Sequence, residues 1–205
     1  MNVFRLGALI VLVLVVLVGV THAAAGSPTD QVRQYTDQVL KLLEDPNVHA
    51  ADRRAAVRKA AIEIFDVQET AKRALGRHWQ ARTPAEREEF VQLFADLLER
   101  TYINKIDIYR GEKLVYTNEA IDGEYATVRA RVVTKQRGDI PVDAKMIRRG
   151  DRWLIYDISV ENISLISNYR AQFDRIIRSA SYQELVTRLK TKREEFLQEA
   201  RPGSS

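Results

Sequence analysis

The spacing of hydrophobic and polar side chains changes between Arg152 and Ile177. The first nine residues alternate, which is the period of a strand with one buried face. The side chains predicted on that face are Leu154, Tyr156, Ile158 and Val160. From Ile163 onward apolar residues recur every three or four positions, as on one face of a helix. The pattern predicts a strand that leads directly into a helix, with Glu161 and Asn162 as capping groups at the corner.

Helical spacing also predicts helices in the first half of the chain. Sequences suited to capping a helix N-terminus occur at Ser27, Asp66 and Thr83. The last of these opens the longest predicted helix, over 84–109. Its apolar face consists of Phe90, Leu93, Phe94, Leu97, Leu98, Tyr102, Ile106 and Tyr109. A final, highly charged helix is predicted over 182–200.

Alternating segments between the long helix and Arg152 predict three further strands. They are expected over 113–121, 124–135 and 140–147, with a hairpin signal at Asp122-Gly123. The order of helices, sheet and helices is typical of an α+β fold. We therefore expect a strongly curved, four-stranded antiparallel sheet covered by N-terminal, central and C-terminal helices. The two most apolar helices are expected against its concave face.

The first 25 residues have the pattern of a targeting segment. Arg5 supplies a positive start, an apolar run follows, and Ala23-Ala24-Ala25 offers small residues for cleavage. A membrane anchor is the alternative, but the apolar run is short for a bilayer span of about 20 residues. The pattern favours a cleaved signal peptide over 1–25, a single exported domain over 26–200 and a flexible tail over 201–205. A bacterial periplasm is the expected destination.

The composition limits the kinds of reaction and binding site that we expect. The 205 residues include no cysteine, which excludes disulfides and thiol catalysis. The formal net charge of +4 is spread over a dense mixture of both signs, so nucleic-acid binding is not expected. His22, His49 and His78 lack the spacing of metal ligands, and no phosphate loop or nucleophile motif occurs. We expect neither a metal nor a cofactor.

Few polar residues stand out. Asp157, on the last long strand, is expected to face solvent or to pair with a nearby arginine. The segment 73–82 combines three arginines and His78 with Trp79. This composition is typical either of a solvated helix end or of a surface that binds an anionic headgroup or a membrane. Residue chemistry alone therefore indicates an exported α+β domain of unknown ligand.

Two runs of residues resemble the signature of the MlaC, or toluene-tolerance auxiliary, family. The first run contains an FD pair, an ALG-x-HW motif and a T-P-x-E-R-x-x-F helix start, here Phe65-Asp66, Ala74-Leu75-Gly76, His78-Trp79, Thr83-Pro84, Glu86, Arg87 and Phe90. The second run is similar to the family's W-x-x-YD, S-L and NYR-x-x-F pattern, here Trp153, Tyr156-Asp157, Glu161, Ser164-Leu165, Asn168-Tyr169-Arg170 and Phe173. Asn162 departs from the pattern, which more often has glycine there.

The resemblance implies an NTF2-like cone that encloses phospholipid acyl chains and shuttles them through the periplasm. Its implied partners are an outer-membrane lipoprotein complex and an inner-membrane ABC transporter complex with a substrate-binding MCE-type protein. A hopanoid-associated branch of the HpnM type makes hopanoid a rival cargo. Two other classes stay open: an enzyme that uses Asp157 and Tyr156 as acid and base, and a protein adaptor with a filled core.

Candidate lipid-binding residues follow from the apolar faces of elements expected to meet. They are Phe94, Leu98, Tyr102, Ile106, Val128, Val142, Met146, Tyr156, Ile158, Ile163 and Ile166. Cations near these elements are candidates for the headgroup or docking rim. They are Arg73, Arg77, Arg82, Arg129 and Arg131, of which the last two lie on the polar face of the second strand.

Overall fold

The structure is a computed structural model that describes residues 26–45, 47–103, 111–134 and 138–199. The signal peptide predicted over 1–25, the tail over 201–205 and the candidate lining residue Ile106 lie outside the described residues. Within the described ranges, no helix has the length and hydropathy needed to cross a bilayer.

The chain divides into two compact units, each built from two separate segments. The first unit consists of the residues up to Asp66 together with Tyr102–Leu165. The second consists of Val67–Thr101 together with the chain from Ile166 onward. The single lipid-binding domain over 26–200 stays a prediction, as does the placement of apolar helices against a concave sheet.

A five-stranded antiparallel sheet forms most of the first unit. Its strands follow one another in sequence order. They are β1 (Lys113–Asp122), β2 (Tyr125–Thr134), β3 (Gly138–Arg149), β4 (Arg152–Val160) and β5 (Ile163–Ser164). The predicted α+β class and antiparallel meander are confirmed. The predicted count of four strands is wrong, because the short β5 adds a fifth.

The fifth strand arises from a tight turn that the sequence pattern did not predict. Glu161 and Asn162 have φ angles of 51° and 64°, and Val160 pairs directly with Ile163. Positive φ at both central residues is what a two-residue type I′ hairpin requires, and asparagine tolerates it better than most residues. These two residues are therefore hairpin residues rather than helix caps. The following helix begins at Leu165 instead of Ile163.

One face of the sheet is apolar. Val128 pairs with Ala144, and Ala130 pairs with Val142, so these four side chains share that face. Strand β4 contributes Ile158 opposite Ala144. All five residues are buried.

A bulge changes which residues of β4 reach the apolar face. Ile155, three residues before Ile158, lies opposite Met146, which is two residues beyond Ala144 on β3. Tyr156 is the extra residue of the bulge. The uniform alternation predicted from Arg152 to Val160 is therefore wrong, because Ile155 shares a face with Ile158 while the Tyr156 ring contacts Tyr125 on the polar face.

Two N-terminal helices contact the sheet, the first at β1 and β2 and the second at β4. They are α1 (Pro28–Glu44) and α2 (Ala50–Ile64). The Thr29 backbone N–H donates to Glu119 Oε2 at 2.7 Å, and the Arg33 guanidinium lies 5.0 Å from the centre of the Tyr116 ring. Both β1 residues pair with apolar-face residues of β2, so α1 lies on that face. Ser27 caps α1 as predicted, through the Asp30 N–H.

The second unit is helical. It contains α3 (Val67–Leu75), a 3₁₀ turn (Gly76–His78), most of α4 (Pro84–Ile103), α5 (Leu165–Ser179) from its second residue, and α6 (Tyr182–Glu199). The capping box at the start of α4 is confirmed: the Thr83 N–H donates to Glu86, and the Glu86 N–H donates to the Thr83 hydroxyl. The part of the predicted long helix beyond Ile103 lies outside the described residues until residue 111.

Aromatic rings hold α4 and α5 together. The Phe94 ring centre lies 5.8 Å from Phe90, 5.1 Å from Tyr169 and 5.4 Å from Phe173. The last two contacts are edge-to-face, an arrangement that stabilises beyond simple burial. Helix α6 is attached to α4 by the Tyr182 hydroxyl, which donates to the Glu86 carbonyl at 2.9 Å.

Candidate functional site

Four of the predicted lipid-binding residues lie together on the apolar face of the sheet. Val128, Val142, Met146 and Ile158 each expose 2% or less of their surface. Alanines at 126, 130 and 144 alternate with them along β2 and β3. Small and large side chains therefore alternate along this buried face.

Three other candidates of the first unit occupy different environments. Tyr102, at the end of α4, is buried with 8% of its surface exposed. Ile163 is 41% exposed in the short strand β5. Tyr156 lies on the polar face against the Tyr125 ring. Tyr156 therefore does not share the apolar face, whereas Ile163 does, because it pairs with Val160 and Val160 pairs with Val142.

The remaining described candidates belong to the second unit. Phe94 is fully buried within the aromatic cluster of α4 and α5, Ile166 is 4% exposed, and Leu98 is half-buried. The contacts of Phe94 are those of a packing anchor in the core of this unit. Whether these residues contact a lipid stays a prediction.

The five predicted rim arginines are divided between the two units. Arg129 and Arg131 project from the polar face of β2, with loose ion pairs of 3.9 Å to Asp143 and 3.8 Å to Asp139. In the second unit Arg73 pairs with Glu69, Arg82 pairs with Glu86 and Arg77 pairs with Asp174. Each arginine thus has its own acidic neighbour.

Asp157 is buried rather than solvent-facing. It is 5% exposed, its Oδ2 accepts a hydrogen bond from Ser164 Oγ at 2.7 Å, and Lys145 Nζ lies 3.5 Å from the same oxygen. The contacts at this oxygen are thus made by a serine and a lysine. These contacts anchor β5 to β4 and β3.

A surface cavity of about 510 Å³ lies within the second unit. It is lined by Leu75, Arg77, His78, Ser167, Arg170, Ala171, Asp174 and Arg178. We call it the basic cavity. Sequence reasoning missed Arg170, Asp174 and Arg178 as site residues, although their spacing of four along α5 places them on one helical face.

Hydrogen bonds organise the wall of the basic cavity. Asp174 Oδ1 accepts from His78 Nε2 at 2.8 Å and from Arg77 Nε at 2.9 Å. These bonds, that from His78 first, lower the pKa of the Asp174 carboxyl. Gly76 stands beside them with φ of +57°, and a Cβ there would lie 2.9 Å from Arg170 Cδ. Glycine therefore allows the stem of Arg170 to pass close to the backbone.

Two tyrosine side chains also have raised pKa values. Burial raises the pKa of Tyr116 to about 12, and burial likewise raises the pKa of Tyr182 to about 12. The Tyr116 hydroxyl has no hydrogen-bond partner among the described residues. Within those residues, no cluster of three or more carboxylates and histidines is arranged to hold a metal ion.

Comparison with known proteins identifies the family. The sequence profile described as MlaC protein matches residues 33–191. This chain belongs to the MlaC family. The matched range contains both motif runs and every lining residue of the basic cavity, so the resemblance seen in the sequence is confirmed.

Individual MlaC relatives agree with this assignment. The chain is 22% identical over 186 residues to the intermembrane phospholipid transport system binding protein MlaC of Haemophilus influenzae, which covers 84% of this chain and 85% of the relative. A solved structure of the phospholipid-binding protein from Ralstonia solanacearum, in complex with a phospholipid, is 23% identical. It superposes with a TM-score of 0.73 over 84% of this chain and 99% of that chain. The chain therefore shares the fold of that protein.

Proposed function

We propose that this MlaC-family chain is a periplasmic lipid carrier that encloses phospholipid acyl chains and has no catalytic activity. The observation that carries the proposal is the family match over 33–191. Two relatives support it, because one is named for intermembrane phospholipid transport and the other was solved with a phospholipid. The buried apolar face around Val128, Val142, Met146 and Ile158 supplies side chains of the required character.

The physical need for a carrier is large. Two acyl chains of about 30 methylenes cost on the order of 24 kcal/mol to expose to water, at ~0.8 kcal/mol each. Free diffusion of such a lipid between membranes is therefore negligible. A carrier must bury the tails and leave the charged headgroup in water. Since both membranes offer the tails a similar environment, burial sets no direction of transport.

Mass spectrometry of organic extracts from the purified protein tests the proposal directly. We expect glycerophospholipid in near-stoichiometric amount, and transfer of labelled phospholipid between two vesicle populations when the protein is added. Recovery of hopanoid instead would change the cargo. A protein that yields no lipid and moves none would refute the carrier proposal and favour an adaptor.

The proposed partners are the two membrane complexes between which such a carrier moves, an outer-membrane lipoprotein complex and an inner-membrane ABC transporter with an MCE-type protein. Arg129 and Arg131 are 50% and 58% exposed on the polar sheet face and are held loosely, so they are proposed docking cations. Surface charges act mainly on association rate and are screened by salt.

Exchanging Arg129 and Arg131 for glutamine should slow lipid delivery to purified partner complexes most at low ionic strength. A matched control is the double exchange of Lys41 and Lys59 for glutamine, which removes the same charge from exposed positions of α1 and α2. Delivery rates of the arginine variant that equal those of the control at every salt concentration would remove the two arginines from docking.

A further inference from the structure

The basic cavity contains more positive charge than its own acid balances. Arg77, Arg170 and Arg178 line it together with one carboxylate, Asp174. A second cavity that adjoins it adds Arg175. Asp174 already accepts hydrogen bonds from Arg77 and His78, so its negative charge is paired with these two residues of the cavity wall.

Among the described residues, Arg170, Arg175 and Arg178 of α5 have no acidic partner of their own. Arg170 donates a long bond of 3.4 Å to Ser167 Oγ. Arg175 and Arg178 make no ion pair with any carboxylate in the part of the chain that the structure describes. Like charges three and four residues apart destabilise a helix slightly. The helix thus presents exposed guanidinium groups that no carboxylate of the described residues neutralises.

The wall is organised before any ligand arrives. The stem of Arg170 passes over Gly76, and the hydrogen bonds of Asp174 fix the positions of Arg77 and His78. Residues of both sequence motifs, Gly76 and His78 from the first and Arg170 from the second, therefore meet at one place. The apolar face of the sheet does not account for this convergence.

We propose that the basic cavity binds the phosphate group of a phosphate ester. Guanidinium groups match phosphate oxygens in geometry and charge, and several of them around one pocket favour a dianion or a phosphodiester. The cavity, at about 510 Å³, has room for a substituent beside the phosphate, and Leu75 and Ala171 provide apolar surface for it. A soluble ester and a lipid headgroup at a membrane surface are both sources of such a phosphate, and the binding chemistry is the same for both.

Binding is measured with three probes on the full mature chain: inorganic phosphate, sn-glycerol 3-phosphate, and vesicles of phosphatidylglycerol in phosphatidylcholine. The test variant replaces Arg170 and Arg178 with glutamine. The control replaces Arg188 and Arg193, which belong to the same unit, lie outside the cavity and carry the same charge. We expect the test variant to bind at least about tenfold more weakly, since it loses two charge-assisted contacts, and the control to bind like the parent.

The probes separate the sources of the phosphate. Binding of glycerol 3-phosphate in preference to inorganic phosphate supports a soluble ester, and binding to vesicles with little affinity for either soluble probe supports a headgroup. Arg178→Gln alone, at a side chain with no ion pair to the part of the chain that the structure describes, repeats the test if the double variant misfolds. A parent that binds none of the probes, or a test variant that binds as well as the control, overturns the proposal. Because no probe requires a protein-bound acyl chain, these outcomes do not depend on the lipid carrier function.

Discussion

Exchange of Gly76 for alanine tests whether the wall of the basic cavity depends on close contact between glycine and Arg170. Gly76 has φ of +57°, and a Cβ there would lie 2.9 Å from Arg170 Cδ and 3.2 Å from Arg170 Cγ. Gly123, in the β1–β2 hairpin, has the same φ of +57°, but a Cβ there meets nothing within 4 Å. The two glycines therefore have the same φ angle, and only at Gly76 would an added Cβ approach another side chain closely.

The expected magnitudes follow from this geometry. Alanine in the left-handed region costs about 1–2 kcal/mol, offset by about 0.4–1 kcal/mol from the less flexible unfolded chain. Both variants share that net cost of roughly 1 kcal/mol. Gly76→Ala additionally forces Arg170 out of its rotamer, for a further ~0.5–1.5 kcal/mol. In an Arg170→Ala background this extra cost should vanish.

Urea unfolding measures these free energies, and the protein carries suitable reporters. Its two tryptophans are both buried, Trp79 in the second unit and Trp153 in the first. A Trp153→Phe background isolates the signal of the unit that contains Gly76. The same variants are then assayed with sn-glycerol 3-phosphate. We expect Gly76→Ala to weaken binding and Gly123→Ala to leave it unchanged.

Equal destabilisation by Gly76→Ala and Gly123→Ala would refute the reasoning, because the contact between the new Cβ and Arg170 would then have no energetic cost. The same conclusion follows if Arg170→Ala leaves the extra cost of Gly76→Ala intact, since the penalty would then come from some other neighbour.

Three further predictions concern the lipid carrier and the stability of each unit. Ile163→Glu should leave the protein folded, because the residue is 41% exposed, but should abolish lipid retention. Ile121→Glu, at 55% exposure, is the control. Normal lipid content in the Ile163 variant would exclude Ile163 from the lipid site. Phe94→Ala should cost about 3–5 kcal/mol in urea unfolding, and a loss below ~1 kcal/mol would show that the aromatic cluster is not a packed core. Because the pKa of Tyr116 is raised to about 12, the native state keeps its proton between pH 10 and 12 while the unfolded state loses it, so stability falls in that window. Tyr116→Phe should remove about 2–3 kcal/mol of that loss while leaving stability at pH 7 almost unchanged, and identical alkaline profiles would contradict this.

The sequence predicted the periodic parts of the fold well, because burial imposes a period on every regular element. The helical face from Ile166 to Phe173 and the alternation of Ala126 and Val128 are both observed as predicted. The bulge at Tyr156 and the hairpin at Glu161 were missed. Each depends on local backbone angles and cross-strand pairing, to which a pattern of side-chain hydrophobicity is insensitive.

The candidate site was predicted less completely. Val128, Val142, Met146 and Ile158 share the expected face, since strand register follows from hydrophobic alternation. The basic cavity was missed because Arg170, Asp174 and Arg178 have the spacing of an ordinary solvated helix face. Only the folded unit brings Arg77 and His78, nearly a hundred residues earlier in the chain, against Asp174.

The division of the chain has a genetic consequence. The chain passes from one unit to the other after Asp66, after Thr101 and after Leu165. Neither unit is therefore encoded by one continuous stretch of gene. A deletion from the N-terminal end removes half of one unit, and a deletion from the C-terminal end removes half of the other. Recombination at a single crossover cannot exchange either unit intact between relatives. Each unit therefore depends on two separated stretches of the gene.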